Sequence, residues 1–312
     1  MTPRVSITMP VLNGARYIDA AIGSILAQTF QDFELIVVDD GSTDATPEHI
    51  ERFARTAPVR HVRHPRTLGI ARSVNDGLAH STGEYIAFLD HDDAWLPHFL
   101  QTQVSYLDTH PDVGMVHSDF QTIDGDGRVL EASVADSRRR VRPSGHVFPQ
   151  LFMDSFVVGN SVLVRKACFD RLGGFDETLR WADYNMWMRI ARQYRVDYVG
   201  EVLTQYRQHA GQQTRSTPPI SAEGESVGIQ SIRRMLETDP EVRNELGGRA
   251  IRRRLAGLYF DMAYASFQSG DMPGARSHSG KALRLWPWRA DFVKLYAAAL
   301  LPRRVATALR SG

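Results

Sequence analysis

The chain has 312 residues, with 37 Lys and Arg against 36 Asp and Glu for a formal net charge of +1, and hydrophobic residues make up 43% of it. That balance offers no chain-wide attraction to nucleic acid, and the length suits one large α/β domain with an appendage, or two domains. The single cysteine, Cys168, excludes an intrachain disulfide and fits a reducing compartment.

Val5 to Met9 reads as a strand stopped by Pro10, Asn13-Gly14 as a turn, and Ala15 to Gln28 as a helix with Ile18, Ile22, Ile25 and Leu26 at helical spacing. Leu35 to Val38 is a second buried strand that ends in Asp39-Asp40-Gly41-Ser42-Thr43-Asp44, and Thr43 or Asp44 is placed to cap a helix from about Pro47. Val59 to His64 is a third strand, Gly69 to His80 a third helix, and Tyr85 to Leu89 a fourth strand running into Asp90-His91-Asp92-Asp93. The start of the chain lacks a leader pattern. No apolar run approaches the roughly 20 residues of a membrane span, so a cytoplasmic protein is expected.

Strands alternating with helices imply right-handed βαβ units and a parallel sheet. Ligands of such sheets sit outside the carboxyl ends of the strands. That rule gathers Pro10 to Asn13, Asp39 to Gly41 and Asp90 to Asp92 around one crevice. Alternation puts Asp90 and Asp92 on the same side of an extended chain, where two carboxylates hold a hard divalent ion that takes further ligands from phosphate. The alternative is a cap: Asp92 or Asp93 opening a helix near Trp95 and Leu96, with Pro97 in its first turn. Neither a Gly-x-Gly-x-x-Gly nor a Gly-Lys-Ser/Thr loop is present.

Leu100 to Thr109 continues as helix, and Val113 to His117 is a strand followed by Ser118-Asp119. Asp124 to Gly127 reads as a hairpin turn. Glu131 to Pro149 is irregular and basic, with Arg138-Arg139-Arg140, either a solvated loop or a flap over an anion. Val162 to Arg165 is a strand, Lys166 to Arg171 a short helix, and Trp181-Ala182-Asp183 opens a helix from Tyr184 to Gln193, with Asp183 a natural N-cap. A strand near Val199 to Leu203 precedes Tyr206-Arg207-Gln208-His209.

Thr214 to Glu225 reads as a linker, and helical patterns follow at Val227 to Thr238, Val242 to Ser269, Met272 to Leu285 and Phe292 to Arg310. Ala263 to Pro287 resembles one tetratricopeptide unit, and one unit makes no repeat domain. The tail from Trp286 carries Trp288, Arg289, Lys294, Arg303, Arg304 and Arg310. It suits an interfacial helix on an anionic membrane, or a core or dimer contact with a solvated basic face. The expected domains are 1–215 and 216–312.

The succession Pro10-Val11-Leu12-Asn13, Val37-Val38-Asp39-Asp40-Gly41-Ser42-Thr43-Asp44, Gly69-Ile70-Ala71-Arg72-Ser73 and Gly83-Glu84-Tyr85 running into Asp90-His91-Asp92-Asp93 resembles a family 2 glycosyltransferase, from about Val5 to His209. The resemblance implies the GT-A fold, an α/β architecture with a mostly parallel central sheet, here with an α-helical extension. It implies inverting transfer from a nucleoside diphosphate sugar, UDP first by analogy, to the hydroxyl of a glycan or lipid-linked acceptor in cell-surface polysaccharide or glycolipid synthesis. A divalent metal, Mn2+ or Mg2+, is implied as cofactor, with peripheral membrane contact and homo-oligomerisation as further expectations.

Residue by residue, the resemblance places backbone contacts at Pro10, Leu12 and Asn13, with Leu12 standing where the family usually has tyrosine. Asp40 would bind the base beside Asp39, and Asp90 would lie against the ribose. Asp92 would ligate the metal, and His209 would reach metal or diphosphate. Arg72 is either a base or phosphate contact or part of a solvated helix face. An acidic pair usually opens the helix of the catalytic base; Ala182 takes the first place and Asp183 remains as the general base. Two other readings stay open: a non-catalytic sugar-nucleotide-binding module, and a sugar nucleotidyltransferase, which would want a Gly-rich N-terminal loop where only Asn13-Gly14 stands.

Overall fold

The computed structural model describes residues 2–137, 142–179, 182–212 and 225–301. The chain divides into two compact units, Met1–Ser216 and Thr217–Gly312. In the first, β1 (Val5–Val11) runs parallel to β2 (Phe33–Asp39) on one edge and to β4 (Tyr85–Phe88) on the other, and β3 (Val59–Arg63) extends the sheet beyond β2. Every residue of β1 and β4 is buried, as befits strands covered on both faces. Helix α1 (Ile18–Leu26) buries Ile18, Ala21, Ile22 and Ile25 against this core, with α2 (Thr46–Ala54) and α3 (Ile70–His80) completing the alternation.

The full strand order is β3-β2-β1-β4-β8-β6-β9-β5, with β7 (Val129–Glu131) paired to β6 off that path. Strand β8 (Val162–Arg165) is antiparallel to both β4 and β6 (Val113–Ile123). Strand β9 (Arg195–Arg207) lies parallel to β6, and its far edge takes β5 (Ala94–Trp95) antiparallel. The sheet is therefore parallel through its N-terminal half and mixed beyond. Helices α4 (Phe99–Thr109), α7 (Lys166–Leu172) and α8 (Asp183–Gln193) pack around it.

Several elements differ from the sequence expectations. Pro10 does not stop β1. Pairing with β4 ends at Thr8↔Phe88, where the Leu89 amide donates to the Thr8 carbonyl at 3.2 Å. Pro10 points to the same edge two residues later, so its missing N–H falls where no partner strand remains. The opposite edge continues, with Pro10 opposite Val38 and the Asp40 amide donating to the Val11 carbonyl at 2.8 Å. Ala94 and Trp95 do not open a helix; they pair with Gln205 and Thr204 of β9. Strand β6 does not end at His117 but carries Ser118 and Asp119 within it. Glu131 to Pro149 contains the short helix α5 (Val134–Ser137) and the start of α6 (Phe148–Met153), while Arg138, Arg139 and Arg140 lie outside the described residues.

The second unit has helices Val227–Thr238, Glu241–Ser269, Met272–Leu285 and Ala290–Leu300 among its described residues. Ser226 caps the first through the Ile229 amide at 3.4 Å and Asp271 the third through the Gly274 amide at 3.0 Å. Ala263, Phe267, Met272, Ala275, Leu295 and Ala299 form one of its cores. The linker expected over Thr214 to Glu225 and the basic residues Arg303, Arg304 and Arg310 fall almost wholly outside the described residues. Among the described residues, no helix is long and apolar enough to cross a membrane.

Candidate functional site

The turns after β1 and β2 are hydrogen-bonded into one wall. Asn13 has a φ of 53°, which an asparagine tolerates. Its amide donates to Ser42 Oγ at 2.9 Å, and its Oδ1 accepts the Thr43 amide at 2.9 Å. Gly14 N donates to Thr46 Oγ1 at 2.8 Å, and Asp44 receives both Ala15 and Thr46 amides. Gly41 turns the chain with a φ of 80°, and a Cβ there would sit 2.8 Å from the Arg66 carbonyl carbon. Only glycine suits both demands.

Asp39 is fully buried. Its Oδ1 accepts the Ser42 amide at 2.8 Å, and its Oδ2 faces Arg63 Nε at 3.4 Å and His61 Nε2 at 3.8 Å. Burial works to raise this carboxyl. His61, the Ser42 donors and Arg63 outweigh it and hold the group below the usual carboxylate range. Asp39 thus shapes the turn from inside rather than facing the crevice.

Asp40 is engaged on both oxygens. Oδ1 accepts the Leu68 amide at 2.8 Å and meets His64 Nδ1 at 2.8 Å, while Oδ2 accepts the Gly69 amide at 2.9 Å. A carboxylate offers about four lone-pair positions, so one on Oδ2 is left for a ligand donor. Beyond it, His64 Nε2 meets Asp76 Oδ2 at 2.9 Å, and Arg72 Nε lies 3.1 and 3.0 Å from the two Asp76 oxygens. Arg72 is half-exposed and also approaches Glu177 at 3.9 Å. Sequence spacing brings Arg72 to Asp76 at i,i+4, but nothing local foretells His64 between Asp76 and Asp40.

The turn after β4 sorts its carboxylates by orientation. Asp93 points inward, where Oδ1 accepts the Arg207 amide at 2.7 Å and Oδ2 accepts Asn160 Nδ2 at 2.5 Å. It caps no helix. Asp92 Oδ2 meets His209 Nε2 at 3.0 Å, with both side chains largely buried. Arg207 secures this contact from β9: its Nε donates to the Asp92 carbonyl at 2.7 Å and its guanidinium lies 4.9 Å from the centre of the Tyr17 ring. The same ring packs 4.7 Å from the His209 ring. Tyr17 and Arg207, which sequence reasoning missed, position His209; the Arg-x-His spacing at the end of β9 was their only signal.

Asp90 is exposed by surface area, yet it sits among enough protein to raise its carboxyl to about 7, with the charges of Asp92 and Asp183 adding to the rise. Water reaching it screens part of that repulsion. Asp183 begins α8 as its first helical residue, with Ala182 at the N-cap and no side-chain capping bond from it. The N-cap position therefore falls to Ala182, one residue before the expected one, and the Asp183 carboxylate meets first-turn amides from inside the helix. Burial raises it above the ordinary carboxylate range, against the pull of the Tyr184 and Asp183 amides. A Cβ at Gly159 would lie 4.0 Å from Asp183 Oδ2, so the small residue leaves room beside it. The Pro10 carbonyl lies near the His91 ring, which burial nonetheless keeps on the neutral side.

Asp90 thus has Asp92 and Asp183 within electrostatic reach, Asp92 has His209 in contact, and Pro10 and Asn13 stand at the same end of the sheet. Leu12 follows β1 in the bend there. Asp39 and Arg72 are held apart by their own partners. Among the described residues no group of three or more His, Cys, Asp or Glu side chains forms a ready metal cage. Asp92 and His209 still fit a hard cation that completes its shell with phosphate oxygens and water, and the repulsion of Asp90 by Asp92 and Asp183 is what such an ion would relieve.

A family model described as glycosyl transferase family 2 matches residues 6–172. The chain belongs to that family. An uncharacterized glycosyltransferase of Rickettsia prowazekii is 32% identical over 219 residues, covering 69% of this chain and 67% of that protein. One from Methanocaldococcus jannaschii is 30% identical over 213 residues, 66% of this chain and 71% of its own. TarS of S. aureus in complex with UDP-GlcNAc superposes over 99% of this chain and 92% of its own, with a TM-score of 0.67 at 18% identity. A mannosyltransferase of Pyrobaculum calidifontis, in complex with GDP-Man and Mn2+, covers 100% of this chain and 88% of its own, with a TM-score of 0.59 at 22% identity. The fold is the GT-A one, and the protein is a glycosyltransferase.

Proposed function

We propose that this glycosyltransferase moves one sugar, with inversion, from a nucleoside diphosphate sugar to an acceptor hydroxyl. The observation that carries the reading is that Asp92, from the turn after β4, and Asp183, at the start of α8 and 91 residues later in sequence, both come near enough to Asp90 to raise its carboxyl. Asp40 uses its remaining lone pair for the base, the backbone at Pro10, Leu12 and Asn13 lines the nucleotide, and Asp90 meets the ribose. The bound nucleotide sugars of the structural neighbours support a donor of this class, with UDP the first choice. Leu12 removes an aromatic face from the base, so donor affinity rests on polar contacts.

Asp92 and His209 would hold Mn2+ or Mg2+, which when bound supplies positive charge to the diphosphate. Asp183 accepts the proton of the acceptor hydroxyl as that oxygen attacks the anomeric carbon from the face opposite the nucleoside diphosphate. The transition state has oxocarbenium character, as in glycoside hydrolysis. Burial of Asp183 strengthens it as a base, because a carboxylate held in a low-dielectric site gains more by taking up a proton. The acceptor is a glycan or lipid-linked hydroxyl in cell-surface polysaccharide or glycolipid synthesis, and the helical unit provides a peripheral membrane or self-association surface.

The test is incubation with Mn2+ and a panel of UDP-, GDP- and dTDP-sugars. Release of nucleoside diphosphate supports transfer. Pyrophosphate-dependent turnover favours a nucleotidyltransferase, and binding without turnover favours a non-catalytic module.

A further inference from the structure

We propose that His64 is a positioning residue for the nucleotide, and that it acts only as the imidazolium, clamping Asp40 and, through Asp76, Arg72. The inference rests on the nucleotide reading of Asp40. The His64 ring is buried, with 8% of its side chain exposed. Each ring nitrogen faces a carboxylate: Nδ1 to Asp40 Oδ1 at 2.8 Å, and Nε2 to Asp76 Oδ2 at 2.9 Å. A neutral imidazole has one N–H and one lone pair, so it can satisfy only one of the two. The other contact would set lone pair against lone pair inside a buried site. Both distances are those of charge-assisted hydrogen bonds, which need two donors.

The surroundings favour that charge. Asp40 reaches the ring from the end of β2, and Asp76 and Arg72 face it from α3. On β3, Arg63 and His61 are turned to Asp39, at 3.4 and 3.8 Å. His80 Nδ1 engages the Asp76 backbone carbonyl at 2.7 Å, and Glu177 lies beyond Arg72 at 3.9 Å. Two carboxylates therefore meet one ring, and the guanidinium of Arg72, on the far side of Asp76, is already shared with Asp76 and Glu177. The ring backbone is fixed as well, since the His64 amide donates to the Asp39 carbonyl at 2.8 Å.

The consequence is a nucleotide pocket whose geometry depends on one proton. Of the three donors on Asp40, the Leu68 and Gly69 amides cannot titrate. His64 can. When it loses its proton, either Asp40 or Asp76 loses a partner, Asp40 is freer to rotate, and Arg72 gains a stronger claim on Asp76. Donor binding weakens while the proton transfer at Asp183 is untouched, so KM should move and kcat should not.

Calorimetric titration of UDP and GDP with MnCl2, from pH 5.5 to 9, tests this on the wild type and on His64→Gln. The wild type should lose affinity by about tenfold between pH 5.5 and pH 9, the worth of one charge-assisted hydrogen bond. His64→Gln, which keeps a donor toward one carboxylate only, should bind weakly at all pH values with a flat profile. In parallel, 15N chemical shifts of the His64 ring in the unsubstituted protein should show both nitrogens protonated at the pH where nucleotide binds most tightly. A neutral ring at the pH of tightest binding, or a variant with wild-type affinity and pH dependence, overturns the proposal alone. Failure of every nucleotide to bind overturns the donor reading and this inference with it.

Discussion

His209 Nε2 lies 3.0 Å from Asp92 Oδ2, across 117 residues of sequence. The contact ties the end of β9 to the turn after β4 and joins the imidazole and carboxylate proposed above as cation ligands. Asp92→Asn should lower turnover by at least about 100-fold, equivalent to losing ~2.7 kcal/mol of transition-state stabilisation. His209→Ala should act instead on the Mn2+ requirement, raising the half-saturating concentration by about 10- to 100-fold. Steady-state nucleoside diphosphate release against Mn2+ concentration distinguishes the two.

Asp183→Asn should leave donor binding intact and reduce kcat by about 10²- to 10⁴-fold, the range ascribed to a single general base. Calorimetric affinity for UDP or GDP equal to the wild type, alongside the lost turnover, is the expected pattern. Loss of binding would instead make Asp183 part of the donor pocket.

The pH profile follows from the raised carboxyls. A base must be ionised to act, so activity rises with pH through the Asp183 titration, and burial moves that limb above the ordinary carboxylate range. Asp90, raised to about 7 by its surroundings, Asp92 and Asp183, adds to the same acid limb. A cation favours the ionised form of Asp90, so increasing Mn2+ should shift the acid limb of kcat/KM to lower pH. A limb fixed near pH 4 at all Mn2+ concentrations would contradict this.

Gly77→Ala tests the packing of α3 on β1. A Cβ at Gly77 would sit 2.2 Å from Thr8 Cγ2. Thr8 is fully buried on a central strand and has nowhere to retreat. Overpacking costs about 1–3 kcal/mol, while replacing a helical glycine returns about 1 kcal/mol. Because Thr8 cannot move aside, the upper part of that range applies and the clash should win by up to about 2 kcal/mol, seen as a lowered Tm.

In the helical unit, Trp288 is 90% exposed, whereas Trp286 is held 5.5 Å from the Arg249 guanidinium. If this unit docks on an anionic leaflet, Trp288→Ala should lower partition onto phosphatidylserine vesicles and Trp286→Ala should act through stability. Equal partition of wild type and Trp288→Ala rejects the membrane role.

The carboxylates at strand ends were legible because buried parallel strands write themselves as apolar runs, and Asp39-Asp40 and Asp90 to Asp93 interrupt them abruptly. What was not legible depends on distant partners. Ala94-Trp95 reads locally as a helix approach, and only pairing with β9, 110 residues away, makes it a strand. Pro10 reads as a strand stop unless the early end of β4 is known. The inward turn of Asp93 needs Asn160 and Arg207, and the occupancy of Asp40 needs the loop after β3 to fold back over β2. Each is a tertiary contact with no periodic trace.

Carboxylates from separate elements act together on one nucleotide sugar in the proposed reaction. Nucleoside diphosphate release by wild type and by folded Asp92→Asn, at saturating Mn2+ with the best donor of the panel, tests it most directly. Robust release is expected from the wild type and a loss of at least about 100-fold in the variant. Equal release by the two proteins would contradict it.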